Sequence, residues 1–153
     1  KVVIDASVVA KWAIPGEDWD AEAKALRDKI SSGEVEAYAP TLLLYEVASV
    51  MLKAALTGIL KPTDGVEALK AMGRLGVNIQ ATGWNELPEI LEMATATKLT
   101  IYDSVYLHTS KKIGSKLVTA DDELKQKGKG VSEIMLLKDL TNALTKNHEF
   151  RIR

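Results

Sequence analysis

The chain has 153 residues, 46% hydrophobic and 27% charged, a balance that fits one globular domain and argues against a disordered tail or a multi-domain assembly. Twenty Lys and Arg against 21 Asp and Glu give a formal net charge of −1, so any contact with nucleic acid must be local rather than an effect of bulk charge. Cysteine is absent, which excludes a disulfide framework, thiolate zinc sites and a thiol nucleophile.

A reducing cytoplasm is the expected compartment, because residues 1–5 lack the pattern of a signal peptide. No membrane span is expected either: the most apolar stretch, 41–56, is broken by Glu46 and Lys53. Charge is uneven along the chain. Residues 1–110 carry 10 basic and 15 acidic side chains, and residues 111–153 carry 10 and 6. Lys111, Lys112, Lys116, Lys125, Lys127 and Lys129 supply most of the second basic count; they form either a solvated surface or a contact for an anionic partner.

In chain order, Val2, Val3 and Ile4 form a short apolar run ending at Asp5, as in a strand buried on both faces. Trp19, Ala23, Leu26 and Ile30 recur at helical spacing before Gly33. Residues 36–39 predict a second strand, followed by helices over 41–57 and 63–75, closed by Gly58 and Gly76. Residues 77–81 read as a third strand or an irregular link. Residues 86–98 and 104–113 predict helices, the latter ended by Gly114. Residues 116–119 read as a strand running into an acidic helix start at Asp121, Asp122 and Glu123, and 131–137 give a last apolar run. Short buried strands alternating with helices predict an α/β fold, a mostly parallel sheet covered on both faces. The domain is expected over 1–137, with 138–153 as a tail, docked as a helix or flexible.

Ligands of such sheets bind beyond the carboxyl ends of the strands, so the residues ending each strand carry the most information. Asp5 ends the first strand and Asp121 follows the fourth; if the strands are neighbours, both carboxylates enter one crevice. Each also has a plain explanation, an Asx turn for Asp5 and a helix cap for Asp121. Glu46 interrupts a helix that is apolar over most of its circumference, sharing a polar stripe with Ser49, Lys53 and Thr57. Lys53 lies two turns away, beyond ordinary pairing distance, so Glu46 needs another partner or water. Asp103 opens a helix, where capping is its plain role.

Taken together, Val3-Ile4-Asp5-Ala6-Ser7, Pro40 through Glu46, Tyr102-Asp103 through Tyr106-Leu107, and Val118-Thr119-Ala120-Asp121 resemble the ordered acidic motifs of PIN domains. The size resembles the VapC ribonuclease toxins within that superfamily, and the resemblance spans residues 2–136. It implies a three-layer fold with a central parallel sheet flanked by helices. It also implies an acidic pocket of Asp5, Glu46, Asp103 and Asp121 coordinating Mg²⁺ or Mn²⁺ for RNA phosphodiester hydrolysis. Ser7 and Thr119 take a supporting role under the same resemblance. Asp122 is either an outer member of the pocket or simply the start of a helix. A VapB-like antitoxin is the implied partner.

The residue types suit that chemistry, since hard divalent cations prefer oxygen ligands and unneutralised converging acids repel. Other classes fit less well. There is no Gly-x-x-x-x-Gly-Lys and no Gly-x-Gly-x-x-Gly; His108 and His148 stand in no zinc pattern. An aspartyl-phosphate enzyme would carry a second acid where Ser7 stands. The alternative is a catalytically inactive PIN-like scaffold for dimerisation or protein binding. A homodimer is expected in either case, because Leu43, Leu44, Val47, Val50, Met51, Ala54, Ala55 and Leu56 give the 41–57 helix more apolar surface than one sheet face covers.

Overall fold

The computed structural model describes residues 1–140, so His148 and most of the expected tail lie outside the described residues. Five strands, β1 (Val2–Ile4), β2 (Ala37–Pro40), β3 (Asn78–Gln80), β4 (Lys116–Thr119) and β5 (Ile134–Leu136), form one sheet in the order β3-β2-β1-β4-β5. Every neighbouring pair is parallel. The ambiguous 77–81 segment is thus a strand, placed at the edge against β2.

Seven helices flank the sheet among the described residues: α1 (Ala6–Val9), α2 (Asp20–Ser31), α3 (Leu42–Leu56), α4 (Pro62–Gly73), α5 (Leu87–Thr97), α6 (Ile101–Ile113) and α7 (Asp122–Gly128). Parallel strands need such crossovers, and both faces must be covered, which is why the strands read as unbroken apolar runs. α6 packs across β2, β1 and β4, α5 packs on α6, and α7 rests on β4 and β5. Val3, Ile4, Leu107, Leu117 and Val118 are fully buried where β1, β4 and α6 meet. Each such side chain contributes about 1.5–3 kcal/mol through burial. Leu137 and Leu140 are equally buried, so the core extends to the end of the described chain.

Two local features differ from the sequence expectation. α1 was not anticipated; its four residues are too few to show a period, and three of them are buried. α6 begins at Ile101 rather than at Asp103 or Ser104, capped by the Thr100 hydroxyl, which accepts from the Asp103 N–H at 3.1 Å. Lys98 makes this possible by ending α5 in a left-handed conformation (φ 60°), with Leu99 turned into the core. Asp103 therefore sits inside the first turn of α6 and is not its cap.

Candidate active site

The sheet order reverses direction between β1 and β4, the two strands whose ends carry Asp5 and Asp121. Their register pairs Ile4 with Val118, which sets Asp5 beside Thr119 at the carboxyl edge of the sheet. Asp5 is 6% exposed. One of its oxygens accepts from the Ser7 hydroxyl at 2.5 Å and from the Ser7 and Val8 N–H groups at 3.1 and 3.4 Å, so it also caps α1. The other accepts from the Thr119 hydroxyl. The Ala120 N–H donates to the Ser7 oxygen at 2.9 Å, tying the two strand ends together.

Asp121 does cap α7: one oxygen accepts from the N–H groups of Glu123 and Leu124 at 2.9 and 3.2 Å. Its own N–H donates to Thr119 Oγ1 at 3.1 Å, so Thr119 touches both acids. The plain roles of Asp5 and Asp121 and their place at the crevice coexist, because a cap uses only one of the two carboxylate oxygens.

Glu46 comes from α3 and Asp103 from α6, and the field of each acid is felt by the next. Burial pushes the Asp5 carboxyl up to about 6, against the pull of its hydrogen bonds to Ser7, Thr119 and Val8. Glu46 is raised by burial, against the pull of the Tyr106 hydroxyl, and further by Asp5 and Asp103. Asp103 is raised by burial and further by Asp121 and Glu123, against the pull of Thr100. The four predicted acids thus form one electrostatic chain, Asp5 to Glu46 to Asp103 to Asp121. Among the described residues no three His, Cys, Asp or Glu side chains form a ready-made metal cage.

Three polar side-chain atoms of α3 and α6 are buried without a hydrogen bond of ordinary length, Glu46 Oε1, the Tyr106 hydroxyl and Ser104 Oγ, the first two lying beside one another. Tyr106 lies beside Glu46, and burial together with the Glu46 and Asp5 charges pushes its phenol well above the ordinary range. Tyr106 follows Asp103 by one helical turn. That spacing was the available signal for its place here, but a tyrosine in a mostly apolar helix reads equally as core. Asp122 pairs with Lys138 at 3.2 Å on the exposed first turn of α7. Glu123, which the sequence reading passed over, is the acid that the site feels next to Asp121; Lys127 pairs with it.

A cleft of about 810 Å³ opens beside this region; of the four acids Glu46 lines it, together with Ser7, Lys11 and Glu17 on one side, Tyr45 and Ser49 on α3, and Tyr102 on α6. The basic surface suggested by the lysines after residue 110 is largely self-neutralised. Lys111, Lys112, Lys116, Lys125 and Lys127 pair with Glu89, Glu86, Glu133, Asp139 and Glu123. His108 lies between Glu86 and Glu89, at 3.9 and 3.4 Å, away from the cleft. No described helix is long and apolar enough to cross a membrane.

The model of the PIN domain matches residues 2–130, the span that holds all five strands but the last and all four acids. The chain belongs to the PIN domain family. Ribonuclease VapC3 of Pyrobaculum aerophilum is 29% identical over 128 residues, covering 83% of this chain and 94% of that one. The crystal structure of PAE2754 from Pyrobaculum aerophilum superposes with a TM-score of 0.72 at 25% identity, over 95% of this chain and 90% of that one. VapC20 of Mycobacterium tuberculosis, a Sarcin-Ricin loop cleaving toxin, has the same fold at 14% identity, with a TM-score of 0.66 over 84% and 95%. In this PIN domain the two strand-end acids come from β1 and the β4–α7 junction, and the two helical acids from α3 and α6.

Proposed function

We propose that the chain is a divalent-metal-dependent endoribonuclease that hydrolyses RNA phosphodiester bonds, acting as the toxin of a VapBC-type pair in the cytoplasm. The observation that carries this reading is the chain of four mutually interacting carboxylates at the β1–β4 reversal, each from a different element, beside an open cleft. The VapC3 ribonuclease, matched over most of both chains, supports the substrate class.

The donor set fits Mg²⁺ or Mn²⁺. All its candidate ligands are hard oxygens, and such ions keep several waters and take only one or two carboxylates directly, so the absence of a closed cage is no obstacle. Glu46 Oε1 is buried beside the Tyr106 hydroxyl without a hydrogen bond of ordinary length, so a cation or a water would relieve its desolvation. Of Asp5, Glu46, Asp103 and Asp121, one or two would ligate the ion directly and the others through its waters; when bound, it would supply charge neutralisation at the phosphate and lower the pKa of a coordinated water.

The protein's own groups prepare the site. Ser7 and Thr119 lock both oxygens of Asp5, removing the rotational freedom of a carboxylate that must stay in one orientation. Buried Tyr106 lies beside Glu46 and limits the freedom of its carboxylate. Asp5 is buried and Glu46 and Asp103 are half-buried, so solvent screens these three less than the exposed Asp121.

A second copy of the chain is the proposed partner of the α3 face, where Leu44, Leu52 and Leu56 are 50%, 60% and 78% exposed. A VapB-like antitoxin is the proposed inhibitor, an Arg of which would pair with Glu46 and Asp103 in the cleft. The test of the catalytic reading is RNA cleavage by highly purified protein with Mg²⁺ or Mn²⁺, with chelator, and with Asp5→Asn or Asp103→Asn. Cleavage that stops with chelator and in both variants is expected. Equal cleavage by wild type and variants overturns the assignment.

A further inference from the structure

Lys11 is the only Lys or Arg buried among the described residues, at 8% exposure. It follows α1 in a short 3₁₀ turn (Ala10–Trp12), and Ser7, Ala10, Lys11 and Ile14 all line one wall of the cleft. Ser7, Ala10 and Lys11 are three and four residues apart along α1 and the 3₁₀ turn, so they share one face, with Lys11 about one turn beyond Ser7, and Ile14 lies just past that turn. Glu46 stands on the opposing wall, where Leu42, Tyr45, Ser49 and Val50 repeat the same spacing on α3.

Among the described residues Lys11 is also the only cation lining the cleft; the other charged residues there are Glu17 and Glu46. A phosphodiester chain entering this groove meets carboxylates on both walls, and Lys11 is the group able to attract it directly. The Lys11 ammonium is held at 3.1 Å by Glu17, whose carboxylate is 57% exposed and belongs to the loop before α2. An ammonium this buried requires an anionic partner, but an exposed partner is weakly held and readily exchanged.

We propose that Lys11 is a substrate-binding residue of this cleft: its ammonium takes a non-bridging oxygen of the phosphate next to the one that is cleaved, exchanging Glu17 for the RNA backbone. The assignment of which phosphate is cleaved rests on the ribonuclease reading above; the backbone contact itself does not. Glu17 is then a counter-ion that competes with RNA. This separates the proposal from a purely structural ion pair, in which loss of either partner has the same effect.

The experiment uses the full chain in chelator, with short fluorescein-labelled oligoribonucleotides of random sequence and anisotropy as the readout. Lys11→Met keeps the aliphatic stem and removes the charge, Lys11→Arg keeps the charge, and Glu17→Gln removes the competitor. Lys11→Met should bind roughly 5–30-fold more weakly, as for loss of one charge-assisted phosphate contact, and its log–log salt slope should fall by about 0.7. Lys11→Arg should retain most of the affinity. Glu17→Gln should bind roughly 2–5-fold more tightly, the opposite sign to Lys11→Met. Both pair-breaking variants should melt within a few degrees of each other, which controls for folding.

Weakening of the same sign and size in Lys11→Met and Glu17→Gln, or an unchanged salt slope in Lys11→Met, overturns the proposal. Cleavage is followed in parallel with Mn²⁺ added. Wild type that does not cleave but shows Lys11-dependent binding defeats the ribonuclease reading and leaves Lys11 in place. Cleavage with a KM unaltered in Lys11→Met defeats the Lys11 assignment and leaves the ribonuclease reading intact.

Discussion

Thr119 donates its hydroxyl to Asp5 across the β1–β4 pair, linking residues 114 apart in sequence at the point where the sheet order reverses. The same oxygen of Thr119 accepts from the Asp121 N–H, so a single fully buried hydroxyl orients one site acid and the backbone of another. A hydroxyl can do both because it has one proton to give and two lone pairs to offer.

Thr119→Val tests that relationship with almost no change of shape. The variant leaves Asp5 with one fewer donor and the Asp121 N–H without its acceptor, while the buried isopropyl group packs where the threonine did. Affinity for Mn²⁺ should fall roughly tenfold, the lower end of the range for losing an outer contact to a ligand, with the circular dichroism spectrum unchanged. Calorimetric titration measures it. Undiminished affinity would show that Thr119 serves the fold and not the site.

The raised Asp5 carboxyl fixes the sign of a pH effect. Its unfolded value is 3.8 and its folded value about 6, so the folded state holds the proton more tightly. The stabilisation is therefore fully present below about pH 4 and is lost as pH rises through 6, on the order of 3 kcal/mol in metal-free protein. Thermal melts in chelator, compared between wild type and Asp5→Asn, isolate this term from the surface acids Glu34, Glu86 and Glu89, which are lowered and act in the opposite direction. The wild type should lose more stability than Asp5→Asn between pH 4 and 7, and Mn²⁺ at pH 7 should restore it. Parallel pH dependence in the two proteins would falsify this account.

The strand ends were legible in the sequence because a buried parallel strand is an unbroken apolar run and its last residue is conspicuous when charged, as with Asp5. Glu46 stood out for the same reason within an apolar helix. The start of α6 was misplaced because Ile101 and Tyr102 precede Asp103, and an aspartate near a helix start reads as its cap; the hydroxyl of Thr100 does that work instead. The roles of Lys11 and Glu123 were not legible at all. Lys11 matters for the cleft wall it lines and Glu123 for its charge near Asp103, tertiary facts with no local pattern. The choice left open for the lysines after residue 110 turns on tertiary pairing, since the glutamates that neutralise Lys111 and Lys112 lie more than 20 residues earlier in the chain.

Asp103 separates an active site from a retained scaffold. It is the acid that feels Asp121 and Glu123 and is felt by Glu46, so it lies in the middle of the cluster. Asp103→Asn keeps the volume and the accepting oxygen while deleting the charge. Mn²⁺ binding by calorimetry should drop below detection, and RNA cleavage should fall at least roughly a hundredfold, with the fold preserved. A wild type that binds no divalent ion, with Asp103→Asn indistinguishable from it, would favour the scaffold.

The last prediction concerns the outer face of α3. The apolar residues of that helix divide into two sets: Leu43, Val47, Met51 and Ala54 are buried inside the subunit, whereas Leu44, Leu52 and Leu56 face outward and are at least half exposed. Leu44, Ala48, Leu52 and Leu56 follow one another at steps of four, so they form a single stripe along the helix. Leu52, absent from the patch expected from sequence, lies at its centre. Ile59 just beyond α3 and Val66 on α4 are also more than half exposed. A stripe of this kind on a free monomer would be an unusually large apolar surface. Two copies meeting through it would cover the stripe on both subunits at once, since an isologous contact uses the same residues on each side. Wild type should therefore be dimeric by light scattering at micromolar concentration. The Leu52→Glu, Leu56→Glu double variant should be monomeric, because each subunit would bring two carboxylates into the apolar contact. Both positions are exposed in the subunit, so its melting temperature at low protein concentration should change little. A wild type that scatters as a monomer, or a double variant that stays dimeric, would place the interface elsewhere.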